Sequence, residues 1–375
     1  MTAPFAILAP ARILFGRGQA RAAAPSIAAL GRRSFLVHGR DGQRAEWLIS
    51  ALTRAGVEVM AHACAAEPDL AMLGEAVAAA RTAEFVVALG GGAVIDLGKA
   101  VAAMATAPGP VLEHLEIVGR GLPLTAAPLP FAALPTTAGT GAEVTKNAVI
   151  GVPEHRRKVS LRDDRMIADI AIVDPALTDG CPRTVTLASG LDAIVQVIEP
   201  YLCTRANAYT DALCQGAIPA GLAAIKTLMT QESTAARDQM AWVSLCGGLA
   251  LANSGLGAVH ALAGTIGGRT GAAHGAICGA LLVHVLRHNR DRLAANTRAA
   301  RRFDAVFGWI GEVFGNLDAM ESWMHAAGLP RLSALGVMPG DHAAIAEASL
   351  AASSMKANPA HLDQAALQAV LAAAG

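Results

Sequence analysis

The chain lacks an excess of charge of either sign. Its 375 residues include 30 Lys and Arg against 30 Asp and Glu. Nucleic-acid-binding proteins usually carry a basic excess, so this balance argues against that class. Charged residues are also scarce, at 16% of the chain against 53% hydrophobic residues. This ratio indicates much buried surface and favours a subunit interface, so we expect a homodimer or a larger homo-oligomer.

Charge is absent altogether from Met240 to Gly268, a run long enough to span a bilayer. The run contains polar residues and seven glycines and lacks a dense Leu/Ile/Phe block, which favours a buried helix and a glycine-rich turn instead. The first apolar stretch, "APFAILAP", has no basic residue before it, unlike a secretory signal. None of the six cysteines forms a C-x-x-C pair, as is typical of reduced cytosolic proteins. We expect a cytoplasmic protein with no membrane segment.

Strand and helix patterns alternate in the first half of the chain. Strands are predicted at 33–39, 57–63 and 84–89, and helices at 44–56 and 69–83. Such alternation favours an α/β, doubly wound parallel sheet of the Rossmann-like kind. After about residue 183 the strand signal fades and helical spacing takes over. We therefore predict a dinucleotide-binding α/β domain over 1–182 and an all-α domain over 183–375.

Two glycine-bearing loops follow predicted strands. In "FVVALGGGAVIDLGKA", Gly90, Gly91 and Gly92 lie between a strand and a helix, where the backbone can approach a diphosphate and the helix N-terminus favours an anion. In "FAALPTTAGTGAEVTK", threonines and glycines again follow a strand. Each loop alone is equally well explained as a tight turn. Two such loops together favour phosphate recognition.

Several motifs in order carry a family resemblance. "GGGAVIDLGKA", "LPTTAGTGAE", "VDPALT", "GLDA" and "GAVHALAGTIGG…AHGAICGALLVHVLRHN" resemble the iron-containing (group III) alcohol dehydrogenases, which include lactaldehyde reductases and maleylacetate reductase-like enzymes. The resemblance runs from about residue 5 to residue 290. It implies a dehydroquinate synthase-like two-domain fold, an NAD(P) cofactor, a divalent metal (Fe²⁺ or Zn²⁺) and a small alcohol or aldehyde substrate.

The resemblance also implies a ligand set for the metal. Metal-using relatives have an Asp, a His four residues later, and two further His fourteen positions apart. Asp192, His260 and His274 match three of these positions and are the expected catalytic residues, but Gln196 stands at the fourth. An amide oxygen is a weaker ligand than imidazole for iron or zinc, so we expect loosened affinity or a metal-free site in which Gln196 bonds substrate or water. A further histidine of many relatives, four positions after His260, is replaced by Gly264.

Other residues match the cofactor contacts of the family. Those implied to bind the dinucleotide are Gly39, Arg40, Gly90, Gly91, Gly92, Ala93, Asp96, Thr136, Thr137, Thr140 and Lys158. For Asp96 the alternative is an exposed i,i+3 pair with Lys99, and for Lys158 a solvated charged hairpin. NAD-preferring relatives place an acid near the position of Gly39. Its absence, with Arg40 following, predicts that NADP(H) is accepted, although Asp41 lies only two residues away.

The expected reaction is reversible hydride transfer between an alcohol and its aldehyde or ketone, with a divalent metal polarising the carbonyl. One alternative is a metal-independent, maleylacetate reductase-like reductase of an oxo-acid, for which Arg269 is the candidate anchor. A second alternative is a non-catalytic nucleotide-binding sensor, favoured by the missing histidines. Retention of Asp192, His260 and His274 with both loops weighs against the sensor.

Overall fold

The computed structural model describes residues 4–155 and 157–375 of the chain. These residues form two compact units. The α/β unit comprises Leu8–Thr137 and Gly141–Asp179. The helical unit comprises Gly180–Gly375, Ala138–Thr140 and residues 4–7. The short segment 138–140 therefore belongs to the helical unit although it lies between parts of the α/β unit.

The α/β unit is built on a six-stranded parallel sheet with the strand order β1-β8-β5-β4-β2-β3. Its strands are β1 (Arg12–Phe15), β2 (Arg33–Gly39), β3 (Glu58–Cys64), β4 (Phe85–Gly90), β5 (Phe131–Pro135) and β8 (Ile170–Val173). Two further strands, β6 (Asn147–Val152) and β7 (Arg157–Arg162), form an antiparallel pair. The helices are α1 (Gln19–Ala22), α2 (Ala24–Ala28), α3 (Glu46–Arg54), α4 (Leu70–Ala79), α5 (Gly92–Met104) and α6 (Val111–His114). This is the predicted doubly wound α/β class.

The inner strands β4, β5 and β8 are buried on both faces, which explains why they read as continuous apolar runs rather than as alternating patterns. In β4, Val86 and Ala88 lie in one apolar core, and Phe85 and Val87 lie in the core on the opposite face. Successive side chains of a strand point to opposite faces, so β4 contributes side chains to both cores. The carboxyl ends of β2, β4 and β5 are neighbours in the sheet, and loops leaving them meet at one edge.

The helical unit surrounds one long buried helix. It contains α7 (Arg183–Leu202), α8 (Ala208–Leu228), α9 (Thr234–Asn253), α10 (Ala258–Thr270), α11 (His274–Asp291), α12 (Arg298–Phe314), α13 (Leu317–Ala326), α14 (His342–Leu350) and α15 (Gln364–Ala373). Helix α7 is buried almost continuously from Thr186 to Leu202 and packs against α8, α9 and α11. An apolar helix without a polar face is typical of a domain centre. Asp192, Gln196 and Glu199 of α7 therefore lie in the core of the unit.

The uncharged run from Met240 to Gly268 falls on α9 and α10. Among the described residues no single helix is long and apolar enough to cross a membrane; only the pair α9 and α10, bent by 97°, meets the length and composition requirements together. Much of α9 and α10 is buried in the core of the helical unit. All six cysteines are free thiols, as predicted.

Candidate functional site

Asp192, His260 and His274 converge within the helical unit, as the resemblance implies. Asp192 lies in the middle of α7, His260 in the first turn of α10, and His274 at the first residue of α11. Glycines allow α11 to approach α7 closely. A Cβ added at Gly275 would lie 2.3 Å from the carbonyl oxygen of Ala188, and one at Gly279 would lie 2.7 Å from Leu191.

The polar atoms of the three side chains face one another. Asp192 Oδ1 lies 3.6 Å from His260 Nε2 and 3.8 Å from His274 Nε2. A fourth side chain, Cys278, joins them, with its Sγ 3.5 Å from His274 Nε2. One ligand atom from each of the four residues lies within 4.8 Å of the other three. Asp192, His260 and Cys278 are buried, whereas His274 is one-third exposed.

Glu199 holds His260 in place. Its carboxylate accepts hydrogen bonds from His260 Nδ1 at 2.7 Å and from two backbone N–H groups that begin α10, Gly257 at 2.9 Å and Val259 at 2.7 Å. A Cβ at position 257 would lie 2.8 Å from Glu199 Oε1, so a glycine is required there. Because Nδ1 donates to Glu199, the other ring nitrogen, Nε2, is the one turned toward Asp192, and it offers a lone pair to a cation that displaces its proton.

Buried charge dominates the electrostatics of these side chains. Burial opposes protonation of His260, but the nearby carboxylates of Asp192 and Glu199 outweigh it and raise the pKa of His260 to about 9. Burial likewise opposes ionisation of Asp192, but the neighbouring His274 and His260 lower the pKa of that carboxyl. The carboxylates of Asp192 and Glu199 therefore favour a positive charge in this part of the core.

The arrangement fits a bound divalent cation. Among the described residues, the buried atoms Asp192 Oδ1 and His260 Nε2 have no hydrogen-bond partner. Orphaned polar atoms are rare in protein cores and call for an explanation such as an ion. With metal–ligand bonds of about 2.0–2.3 Å, the ligand atoms of a tetrahedral site lie roughly 3.3–3.8 Å apart. The distances from Asp192 Oδ1 to His260 Nε2 and to His274 Nε2 lie in this range, and oxygen, nitrogen and sulfur together suit Fe²⁺ or Zn²⁺.

Gln196 has a different contact from the one that its sequence position suggested. It is buried one turn after Asp192 on α7, and its Nε2 donates to the carbonyl oxygen of Thr140 at 2.5 Å. An amide oxygen could not face another carbonyl oxygen, so this contact fixes the orientation of the carboxamide. Gln196 thus ties the segment 138–140 to α7.

Sequence reasoning missed two members of the site. It treated Cys278 as an ordinary reduced cysteine, and it left Glu199 equally well explained as a residue facing the same cleft as Gln196 or as a packed one. Their spacing from predicted site residues is the pattern that could have indicated them. Cys278 follows His274 by four residues, and Glu199 follows Asp192 by seven residues, or two helical turns. Both intervals place the second side chain on the same helix face as the first.

The two loops expected to bind phosphate are neighbours in the α/β unit. Gly90, Gly91 and Gly92 connect β4 to α5, and Thr136 and Thr137 follow β5. The Thr136 amide donates to the Gly90 carbonyl at 2.9 Å, and a Cβ at Gly91 would lie 3.4 Å from Thr137 Oγ1. Gly91 precedes α5 without a side-chain cap, so the first N–H groups of that helix, including that of Ala93, are suited to an anion. Thr140, the third predicted threonine, belongs to the helical unit.

The alternative of an exposed Asp96–Lys99 pair is wrong. Lys99 is 1% exposed and donates to Ala142 O at 2.6 Å, Thr145 Oγ1 at 2.9 Å and Asn147 O at 2.9 Å. Asp96 accepts from the Val149 amide at 3.0 Å, and burial raises its pKa to about 6. Both residues therefore anchor the strand β6 and the turn before it to α5, which a sequence reading of helix spacing alone does not show.

The remaining predicted cofactor residues occupy the surface of the α/β unit. Gly39 ends β2, and a Cβ added there would meet no described atom within 4 Å. Arg40 is exposed and donates to Ala65 O at 3.0 Å. Lys158 lies on β7 in an ion pair with Glu67, largely covered rather than solvated.

Gly264 and Arg269 are the two positions of the helical unit that the sequence linked to a missing histidine and to an oxo-acid substrate. A Cβ added at Gly264 would meet no described atom within 4 Å, so the missing histidine leaves open space beside α10. Arg269, the candidate anchor for an oxo-acid, lies 3.6 Å from Asp341 Oδ1. That carboxylate already neutralises part of its charge, which disfavours Arg269 as an anion anchor.

Comparison with known families agrees with this geometry. Residues 10–175 match the family model "Iron-containing alcohol dehydrogenase", and residues 186–375 match "Fe-containing alcohol dehydrogenase family, C-terminal". The chain belongs to the iron-containing alcohol dehydrogenase family. As a member it is an oxidoreductase that interconverts alcohols with aldehydes or ketones, and membership implies both a metal and NAD(P).

Individual members of the family are moderately similar in sequence. The chain is 35% identical over 274 residues to long-chain-alcohol dehydrogenase 1 of Geobacillus thermodenitrificans, covering 71% of this chain and 68% of that one. It is 34% identical over 346 residues to the probable alcohol dehydrogenase EutG of Salmonella typhimurium, covering 88% and 83%. Lactaldehyde reductase of Escherichia coli is 34% identical over 275 residues, covering 72% and 71%.

Solved structures extend the likeness to the whole chain. The crystal structure of a 1,3-propanediol oxidoreductase superposes with a TM-score of 0.87 at 27% identity and covers 100% of both chains. The alcohol dehydrogenase of Oenococcus oeni gives a TM-score of 0.84 at 26% identity, covering 99% of this chain and 100% of that one. The fold of the iron-containing alcohol dehydrogenases is therefore present throughout.

Proposed function

We propose that this iron-containing alcohol dehydrogenase homologue reversibly reduces small aldehydes or ketones with NAD(P)H, and that Asp192, His260 and His274 hold a divalent cation for the reaction. The observation that carries the proposal is the pair of orphaned buried atoms, Asp192 Oδ1 and His260 Nε2, facing each other at 3.6 Å. The names of a lactaldehyde reductase and a 1,3-propanediol oxidoreductase that the chain resembles support a small alcohol or aldehyde substrate.

The chemistry divides between bound groups and the chain. When bound, the dinucleotide supplies or accepts the hydride and the cation polarises the carbonyl group. Asp192 balances positive charge, and Glu199 keeps His260 Nε2 aimed at Asp192 through the bond to Nδ1. The open space at Gly264 leaves water to carry the proton to and from the alcohol oxygen.

The cofactor proposal assigns the pyrophosphate to the loop of Gly90, Gly91, Gly92 and Ala93, with Thr136, Thr137 and Thr140 bonding phosphate or ribose oxygens. The contact between Thr136 N and Gly90 O supports a joint role for both loops of the α/β unit. Asp96 and Lys158 are proposed as further cofactor contacts. Asp96 supports β6 through Val149, and Lys158 follows in the adjacent strand β7, so both positions belong to one local structure.

We also propose that NADP(H) is accepted. Gly39 carries no acid, and Arg40 is an exposed guanidinium beside the end of β2. The Asp41 carboxylate accepts from the Gln43 amide at 3.0 Å and so caps its own turn. A ribose 2′-phosphate at this position would therefore lie near the Arg40 guanidinium. The nearby acid, Asp41, is already hydrogen-bonded within its own turn. A kcat/KM for NADH more than about tenfold above that for NADPH would contradict the proposal.

The function is tested with protein purified without chelators. Its metal content is measured, and oxidation of NADH and NADPH is followed with a panel of small aldehydes and ketones, before and after chelator treatment. We expect activity that chelator abolishes and a divalent cation restores. Asp192→Asn should lower kcat/KM by at least about 100-fold while leaving dinucleotide affinity unchanged. Full activity after complete metal removal would select a metal-independent reductase, and inactivity with every metal would refute catalysis.

Three coarser predictions accompany this function. We propose a domain boundary near Pro182, a homodimer or larger homo-oligomer, and residence in the cytoplasm. The low proportion of charged residues supports the oligomer, and the free cysteines support a reducing compartment. Light scattering after size-exclusion chromatography measures the subunit number, and a single-subunit mass at micromolar concentration would contradict the oligomer.

A further inference from the structure

We propose that Cys278, rather than Gln196, supplies the fourth metal ligand, so that the site is an Asp-His-His-Cys site selective for zinc. This inference rests on the proposed function, because it assumes that Asp192, His260 and His274 bind a cation. The thiol gives up its proton to solvent when it binds, and the sulfur forms the fourth bond to the cation.

Geometry favours the sulfur. Cys278 Sγ lies 3.5 Å from His274 Nε2, within the range of about 3.3–3.8 Å between ligand atoms around a tetrahedral cation. Its ligand atom and those of Asp192, His260 and His274 form a single group in which none is more than 4.8 Å from another. Bringing a separation of 4.8 Å into the tetrahedral range of about 3.8 Å requires a movement of about 1 Å.

The helix supplies the sulfur and an imidazole together. His274 and Cys278 are four residues apart on α11, so their side chains lie on the same face. The glycines that follow each of them, Gly275 and Gly279, bring that face against Ala188 and Leu191 of α7. Asp192 lies on the same stretch of α7, and a Cβ at Gly275 would come within 3.1 Å of its Cβ. Cys278 is thereby held toward Asp192 by backbone packing.

The amide nitrogen of Gln196 is engaged by the backbone of segment 138–140. This nitrogen donates to Thr140 O at 2.5 Å, which orients the carboxamide toward segment 138–140. Gly247 of the neighbouring helix α9 faces Gln196, since a Cβ added there would lie 3.4 Å from Gln196 Nε2. An amide oxygen is also a poor ligand for zinc or iron compared with a thiolate. The replacement of a ligand histidine by Gln196 is therefore compensated by sulfur from a different helix.

The proposal predicts the metal. Soft thiolate ligands favour zinc over iron and exclude magnesium, and two imidazoles with one carboxylate and one thiolate give a four-coordinate zinc environment. We expect zinc in protein purified without chelators, bound at least about tenfold more tightly than in Cys278→Ser. Cys278→Ser changes one atom in a buried position and leaves Asp192, His260 and His274 in place.

Two readouts independent of activity test the proposal. Zinc X-ray absorption of the wild-type protein should show one sulfur at about 2.3 Å and nitrogen or oxygen ligands at about 2.0–2.2 Å. After metal removal, the protein is reconstituted with Co²⁺ alone, and the near-ultraviolet sulfur-to-cobalt charge-transfer band is recorded. The band should be present in wild type and absent in Cys278→Ser. Circular dichroism of the variant establishes that it is folded, and the wild-type absorption spectrum decides the question even if it is not.

Matched variants separate the two candidate ligands. Cys214→Ser replaces another fully buried cysteine, on α8, and should keep the cobalt band. Gln196→Leu removes the carboxamide and should keep both the band and the bound Co²⁺. Wild-type protein that binds Co²⁺ without the band, and loses this Co²⁺ in Gln196→Leu, would assign the ligand to Gln196 and overturn the inference. Metal bound through nitrogen and oxygen only would overturn the inference but leave the proposed function standing. Protein that binds neither Zn²⁺ nor Co²⁺ would overturn both.

Discussion

At the scale of single residues, the contact between Glu199 and His260 shows how a buried imidazole is prepared for a cation. The 2.7 Å bond from His260 Nδ1 to the Glu199 carboxylate sets the tautomer, and two backbone N–H groups of α10 fix the same carboxylate. A ligand histidine held this way loses little side-chain freedom when a metal binds. The carboxylate also increases the basicity of Nε2.

Glu199→Gln is therefore expected to weaken metal binding by about 10- to 100-fold, because an amide oxygen carries no charge and polarises the ring less. The glutamine keeps an acceptor for the first turn of α10, so the fold should survive. Affinity is measured by competition between the protein and a chromophoric chelator for Zn²⁺. Circular dichroism reports the helical content of the same samples.

The chain offers a matched control for this substitution. His284 Nε2 lies 3.4 Å from Glu321 Oε1, another carboxylate–imidazole contact in the helical unit that involves none of the proposed ligands. Glu321→Gln should leave Zn²⁺ affinity within about twofold of wild type, in line with distant sites behaving independently. If both variants lost metal affinity equally, the conclusion that Glu199 strengthens metal binding through His260 would be refuted.

The residue scale is also where sequence reasoning reaches its limit. Asp192, His260 and His274 could be named because their types and separations match a known pattern, and the structure brings them together. Cys278 could not, because its approach to Asp192 depends on how closely α11 packs against α7, which the glycines at 275 and 279 determine. Gln196 was ambiguous for a similar reason. Its partner, the Thr140 carbonyl, lies 56 residues away.

At the scale of elements, the connection from β4 to α5 requires glycine for steric reasons. A Cβ added at Gly90 would lie 2.5 Å from Val94 Cγ2, closer than real Cβ contacts, and valine has little rotameric freedom in a helix to move away. The following Gly91 would bring a Cβ to 3.4 Å from Thr137 Oγ1. The loop is therefore packed against its own helix and against the neighbouring loop after β5.

Gly90→Ala should accordingly cost about 1–3 kcal/mol in the free energy of unfolding, and it should also weaken NADH and NADPH binding by shifting the start of α5. Stability is measured by urea unfolding, and cofactor affinity by fluorescence titration. Gly74→Ala is the matched control, since it lies exposed within α4 and its Cβ would meet no described atom within 4 Å. That change should stabilise the protein by about 0.5–1 kcal/mol and leave cofactor affinity unaltered. Equal losses in both variants would contradict the steric argument.

Element boundaries were predictable where burial is uniform. The strand predicted at 33–39 is β2 at Arg33–Gly39, because an apolar run ending in glycine has few other interpretations. The helix predicted at 44–56 is shorter as an α-helix, Glu46–Arg54, with a 3₁₀ turn before it at Gly42–Ala45. Asp41 caps that turn, and side-chain caps of this kind are not visible in hydrophobic spacing. The burial and the contacts of Lys99 could not be predicted from helix spacing either, because its three hydrogen-bond acceptors lie more than forty residues later in the chain.

At the scale of the whole molecule, stability should depend on pH through ionisable groups buried in the α/β unit. Burial raises the pKa of Glu143 to about 7 and lowers the pKa of Lys99 to about 8. Asp96, on the same helix as Lys99, has a pKa raised to about 6. The folded chain thus holds the Glu143 proton more tightly than the unfolded chain does.

The sign of the effect follows from linkage. Between about pH 4.5 and 7 the folded state carries more of this proton than the unfolded state, so the free energy of unfolding falls as the pH rises through that window. The contribution of Glu143 is fully present below its unfolded pKa and is lost once the pH passes about 7. The total is on the order of 3 kcal/mol, since the pKa rises from 4.5 to about 7 and one pKa unit corresponds to about 1.4 kcal/mol; roughly 2 kcal/mol of it falls between pH 5 and pH 8.

Glu143→Gln removes this dependence without removing the polar group. We expect urea unfolding of wild type and variant to converge at pH 5 and to differ by on the order of 2 kcal/mol at pH 8, with the variant more stable. The difference between the two profiles isolates Glu143 from Asp96, which contributes to both. Glu58→Gln makes the same chemical change at an exposed position of β3 and should reproduce the wild-type profile. Parallel profiles for wild type and Glu143→Gln would mean that Lys99 keeps Glu143 ionised throughout this range, so that the buried carboxylate acts as a permanent counter-ion.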